Sequence, residues 1–71
     1  MPDGPTRKCF PGSSTWPTCL NNKPKSEIKD DLLYALANNL IDRDGIIALL
    51  NDPSLTQSTK TNIQEIIEEN L

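Results

Sequence analysis

Cys9 and Cys19 are the two residues of this chain with the most chemistry to offer. They enclose CFPGSSTWPTC, a stretch with Pro-Gly at one end and Trp-Pro at the other. Three chemistries are open to such a pair. A disulfide would close a ring of 11 residues and stabilise the fold by roughly 2–3 kcal/mol through lost unfolded-state entropy. Pro11-Gly12 suits the centre of a type II turn, because proline presets φ and glycine accepts a positive φ. Such a turn bends the chain back toward Cys19. Phe10 and Trp16 would then ride on a constrained loop, which is the composition of an interface hot spot. Free thiols are the second reading, since cysteines in a reducing compartment stay reduced. Metal or redox chemistry is the third. Against it, nine residues separate the cysteines and the chain has no histidine. Neither a Cys-x-x-Cys motif nor four zinc ligands can be found within one chain.

Nothing else points to catalysis. Without histidine there is no side chain that serves as a base at neutral pH without a large perturbation, and no glycine-rich phosphate loop is present. The pairs Asp30-Asp31 and Glu68-Glu69 are adjacent in sequence, and adjacent residues on a helix point apart. Asp42-Arg43-Asp44-Gly45 begins like a calcium loop, but an EF-hand needs glycine sixth and an acid twelfth. Here glycine is fourth and the twelfth residue is Pro53. Capping of a helix junction is the better reading. The expectation is a non-enzyme with no metal and no cofactor.

What would position these residues is a chain in two parts. Five of the six prolines precede residue 26, and almost all the aliphatic residues follow it. Residues 1–25 carry Arg7, Lys8, Lys23 and Lys25 against Asp3, a net of +3. Residues 26–71 carry three bases against nine acids, a net of −6. The composition predicts an irregular N-terminal arm, 1–25, followed by a small helical domain, 26–71.

In that domain Ile28, Leu32, Leu36 and Leu40 recur every fourth residue, with Leu33 and Ile41 widening the stripe. Helical periodicity predicts a first helix over about 26–40, with Ser26 as its N-cap and Asp30 and Asp31 favoured early by the helix dipole. A second, over about 43–51, is capped by Asp42 or Asp44 and buries Ile46, Ile47, Leu49 and Leu50. Gly45 weakens it. A third, over about 54–70, begins at Asp52-Pro53 or at a Ser54/Gln57 capping box and carries Ile63, Ile66, Ile67 and Leu71 on one face, of which Ile63 and Ile66 are expected in the core. The fold class is all-α, a three-helix body behind a Pro- and Cys-containing arm.

The apolar side chains of 26–71 alone fall short of the entropy of ordering that segment. The shortfall predicts self-association, a protein partner, or an arm that folds back, for which Phe10, Trp16 and Leu20 are the available groups. The first two are favoured. The spacing of EIKDDLLYALANNLIDRDGIIALLND, and the apolar pattern on to residue 67, resembles small helical regulators of bacteria that act as dimers or as inhibitors of a larger protein, among them the connector proteins of acid resistance and biofilm control. The resemblance is one of apolar pattern, with no rare residue shared.

The functional expectation is therefore a small regulatory or interaction protein, bacterial or phage in style, that binds a larger protein and forms a homo-oligomer. Phe10, Trp16, Ile67 and Leu71 are its candidate partner contacts. The alternative is an exported ligand or toxin-like peptide acting through an oxidised 9–19 loop. A helix-turn-helix DNA binder ranks third. Its second helix offers only Arg43 as a base, and the acidic body repels a polyanion. The N-terminus shows no signal-peptide pattern and no apolar run reaches the ~20 residues of a membrane span, so the expected location is the cytoplasm.

Overall fold

A computed structural model describes residues 9–71. It contains three α-helices: α1, Lys25–Ala37; α2, Arg43–Ala48; and α3, Gln57–Asn70. Short 3-10 helices cover Thr18–Asn22 and Leu49–Asn51, and the described residues include no strand. The all-α class is as the periodicity predicts. The helix ends differ, each for a local reason.

α1 stops at Ala37, not near residue 40, because the backbone turns left-handed at Asn39, with φ of 60°. The Asn39 N–H donates to Leu36 O at 3.1 Å and the Leu40 N–H to Ala35 O at 2.8 Å. These two bonds form a Schellman motif, which satisfies the last carbonyls and ends the helix. Asparagine tolerates this conformation better than most residues. Leu40 is thereby lifted off the stripe and is 43% exposed.

Asp42 caps α2: its side chain accepts from the Gly45 N–H at 2.7 Å. Ile41 precedes the cap and packs against the core into which Ile46 is buried, the arrangement of a hydrophobic staple. Gly45 has a use here. A Cβ at this position would lie 2.7 Å from Ile41 Cγ1. α3 starts at Gln57 and not at 54, because Asp52 and Pro53 are spent on a turn. The Asp52 carboxylate accepts from the Ser54 N–H at 2.8 Å, and Thr56 is the N-cap, accepting from the Thr59 N–H at 3.2 Å.

The core is shared by all three helices and by the preceding segment. Ile28 and Leu32 of α1 meet Ile46, Leu49 and Leu55, and Ile63 and Ile66 of α3, and Ala35 of α1 is also buried. Cys9 and Leu20 lie in the same cluster, with Trp16 and Cys19 packed on it. The described part of the arm, from Cys9 on, folds back, the third of the three ways to complete the core. Lys25, at the start of α1, reaches Glu65 and Glu69 near the end of α3, at 2.9 and 3.3 Å. The first turn of α1 is thus held beside the last turns of α3.

Two substitutions test these local explanations by urea denaturation. Asn39→Val is expected to cost about 1–2 kcal/mol, since a β-branched residue resists the left-handed region. Gly45→Ala is expected to lose about 1 kcal/mol, although alanine outranks glycine in most helices, because the new methyl group must displace Ile41. A gain in stability from Gly45→Ala would refute the packing argument.

Candidate functional site

The loop that brackets the cysteines is built by two successive turns. The Ser13 N–H donates to Phe10 O at 3.1 Å, with Pro11 and Gly12 between them and Gly12 at φ of 101°. This is the expected type II turn. The Trp16 N–H then donates to Ser13 O at 3.1 Å, and the 3-10 helix Thr18–Asn22 follows. Both turns bring Cys19 back to Cys9. The sulfurs lie at disulfide distance and the Cα atoms are 5.9 Å apart. No cysteine is free among the described residues.

Behind the loop lies a group that the sequence reading placed elsewhere. Asp31 does not serve the helix dipole at a solvated position; it is buried, 3% exposed. Its Oδ2 accepts from the Cys9 N–H at 3.2 Å and sits 3.2 Å from Lys23 Nζ. Both side chains of this ion pair are only 4% exposed, and Lys23 also reaches Glu27 at 3.5 Å. The signal was present in the sequence. Positions 28, 31, 32 and 35 share one helical face, so an acid at 31 belongs to the buried stripe. Among the described residues no buried side-chain nitrogen or oxygen lacks a partner.

Charge therefore runs inward as well as outward. Of the four bases of the arm, Lys23 and Lys25 are paired with acids of the body, while Arg7 and Lys8 lie outside the described residues. The Lys25 ammonium is held above its ordinary pKa of 10.5, first by its hydrogen bond to Glu65 and then by that to Glu69. A raised lysine pKa stabilises the fold fully below the unfolded value and fades as pH climbs through the folded one. This clasp is at full strength at neutral pH and weakens only above 10.5.

The expected contact residues are divided between two places. Phe10 is half-buried and rests on Tyr34, ring centroids 6.0 Å apart and planes tilted by 57°. Tyr34 is 44% exposed and was not among the expected contacts. Trp16 is partly buried against the core. Ile67 packs on the same core, and Leu71, one turn later, is 39% exposed. Tyr34 lies nine residues along α1 from Lys25, roughly 13 Å of helix, whereas Ile67 and Leu71 lie by the α3 end that Lys25 clasps. The apolar face of α3 thus goes mainly to the core, and the aromatic pair stands apart from the chain end.

No metal-holding group of three or more His, Cys, Asp or Glu occurs among the described residues. None of the helices there is long and apolar enough to cross a membrane. Comparison with protein-family models, curated proteins and solved structures finds no match.

Loss of the buried anion is expected to be severe. Asp31→Ala leaves Lys23 without its buried counter-charge and should cost about 3–5 kcal/mol. Asp31→Asn retains an acceptor for the Cys9 amide and should fall between that variant and the native chain. Urea titration of the three proteins checks the order, and a loss below about 1 kcal/mol for Asp31→Ala would show that the pair is not structural.

Proposed function

We propose that this chain is a small non-enzymatic protein that acts by binding a protein partner, with the face where Phe10 of the arm meets Tyr34 of α1 as the contact. The carrying observation is that aromatic pair, held on a braced loop with Tyr34 44% exposed. Rigid aromatic rings with little entropy left to lose are the groups that dominate interface energetics. Asp30 stands exposed one turn before Tyr34, on a body of net −6. The complementary partner presents basic side chains around an apolar group, and its association weakens as salt rises. The inward packing of the helices' apolar faces supports a heterologous partner over self-association.

The test compares the native chain with a Phe10→Ala/Tyr34→Ala variant, both immobilised and exposed to extract of the source cells. Retention of a partner by the native chain, reduced about tenfold or more by the variant and lowered by salt, is the expected result. A retained protein that is indifferent to both changes overturns the reading, as does the absence of any retained protein. Circular dichroism confirms beforehand that the variant keeps its helices.

The sulfur pair favours a second reading, an exported ligand whose 9–19 loop is oxidised, because such bridges persist in oxidising compartments. Protein from its natural source is alkylated without reductant and its intact mass recorded. A mass lower than that of the dithiol form by two hydrogens, with no alkyl group added, is the expected result for a bridge. Two alkyl groups would remove the second reading.

A further inference from the structure

Two independent sets of contacts hold the segment before α1, and only one contains sulfur. The later part is fastened without cysteine chemistry. Leu20 is fully buried. The Asn21 side chain spans to the loop before α3, its Nδ2 donating to Ser54 O at 2.9 Å and its Oδ1 accepting from the Thr56 N–H at 2.9 Å. Thr15 O is fastened to the same 3-10 helix by Thr18 Oγ1 at 2.7 Å and by the Cys19 N–H at 3.1 Å. The earlier part, Cys9 to Ser14, differs. Its anchors to the rest of the fold, among the described residues, include the sulfur pair, the burial of Cys9 in the core, the Cys9 N–H on Asp31 and the Phe10 ring on Tyr34.

The two cysteine residues are also unequally exposed. Cys9 is 1% exposed, whereas Cys19, on the 3-10 helix, is only partly buried. Thiol–disulfide exchange needs an approach to one sulfur by an external thiolate.

We propose that the Cys9–Cys19 bridge is a thiol-exchange site, attacked at Cys19 by a dithiol, and that its cleavage releases the limb Cys9–Ser14 while Leu20 and the three helices stay folded. In the first step the attacking thiolate bonds to Cys19 Sγ, the Sγ–Sγ bond breaks, and Cys9 Sγ leaves with the electron pair and takes a proton from water. In the second, the other sulfur of the dithiol attacks the mixed disulfide and releases Cys19 as a thiolate, which is protonated in turn. The dithiol ends as its own disulfide; the protein gains two hydrogens. The limb then swings about Thr15, giving up the bond from the Trp16 N–H to Ser13 O, separating Phe10 from Tyr34 and withdrawing the Cys9 amide from Asp31. Lys23 remains beside that carboxylate, so the buried charge keeps its counter-ion through the opening. Helix capping by Asp42 and Thr56, and the clamp of Asn21, involve no residue of the limb.

Two measurements on the full chain test this. In the first, the oxidised protein meets a limiting amount of glutathione, the reaction is stopped by alkylation, and the adduct is placed by fragment-ion mass spectrometry. Glutathione on Cys19 in about tenfold excess over Cys9 is expected; equal labelling overturns the assignment of the attacked sulfur. In the second, dithiothreitol is added and amide hydrogen exchange is followed by NMR. The Cys9 amide should exchange at least about tenfold faster, with Ile63 and Ile66 close to their oxidised protection. An unchanged Cys9 amide shows the limb stays docked. Loss of protection at Ile63 and Ile66 shows the bridge to be a staple of the whole fold. Either result sinks the proposal. A Cys9→Ser/Cys19→Ser variant should match the reduced protein, which separates bridge loss from any effect of the reagent. Both readouts work without a partner, so the outcome of the binding experiment does not bear on them.

Discussion

The Asp31 carboxylate is the constraint on which the arrangement turns. A charge with 3% of its residue surface exposed cannot stand in an apolar core uncompensated, since removal from water costs several kcal/mol per ion. Here one oxygen receives the Lys23 ammonium and the Cys9 amide, both from the segment before α1. The carboxylate is thus the reason the arm has one place to go. Hydrophobic burial of Leu20 drives the segment onto the body in a non-directional way. The ion pair and the amide hydrogen bond decide the register. Brought together, they put Cys9 against Cys19 and lay Phe10 on Tyr34.

The same interaction recasts the charge asymmetry. A net of +3 before residue 26 and −6 after it describes two surfaces if the parts are separate. In the folded chain Lys23 and Lys25 face Asp31, Glu27, Glu65 and Glu69, so part of the opposite charge between the two segments is used within the molecule. The two pairings differ in kind. Lys25 and its partners are exposed and screened by solvent, a modest contribution of the surface type. Lys23 and Asp31 are shielded, and their value lies in specifying one docking geometry.

Helical class and the buried faces around Ile28, Leu32, Ile46, Ile63 and Ile66 were legible because periodicity reports which side of a helix meets the core. The Pro11-Gly12 turn was legible for a different reason: proline's φ is preset and glycine alone accepts a large positive φ with ease. Helix ends were less so. Leu40 continues the four-residue apolar spacing, and only the left-handed backbone at Asn39 takes it out of the helix. Asp52-Pro53 reads as a helix start, yet Thr56 competes for the role and wins, leaving the pair to a turn. The candidate site was legible in part. Phe10 and Trp16 stood out by type, while Tyr34 lies off the four-residue apolar spacing and was not singled out. Asp31 was hidden by its neighbour Asp30, because two adjacent acids suggest a solvated face until their helical positions are separated by 100°.

That separation also explains how so short a chain has both a core and a presented surface. At Asp30 and Tyr34 α1 faces solvent; at Ile28, Asp31, Leu32 and Ala35 it faces the core. The arm crosses the seam between these faces, its Cys9 amide on the buried acid and its Phe10 ring on the exposed tyrosine, two consecutive residues on opposite sides of one boundary. Exposure of Phe10 therefore depends on burial of Cys9. A contact surface built this way needs few residues of its own, because the core that stabilises the fold also holds the surface in place. Its weakness has the same origin: whatever loosens Cys9 also moves Phe10 and Tyr34 apart.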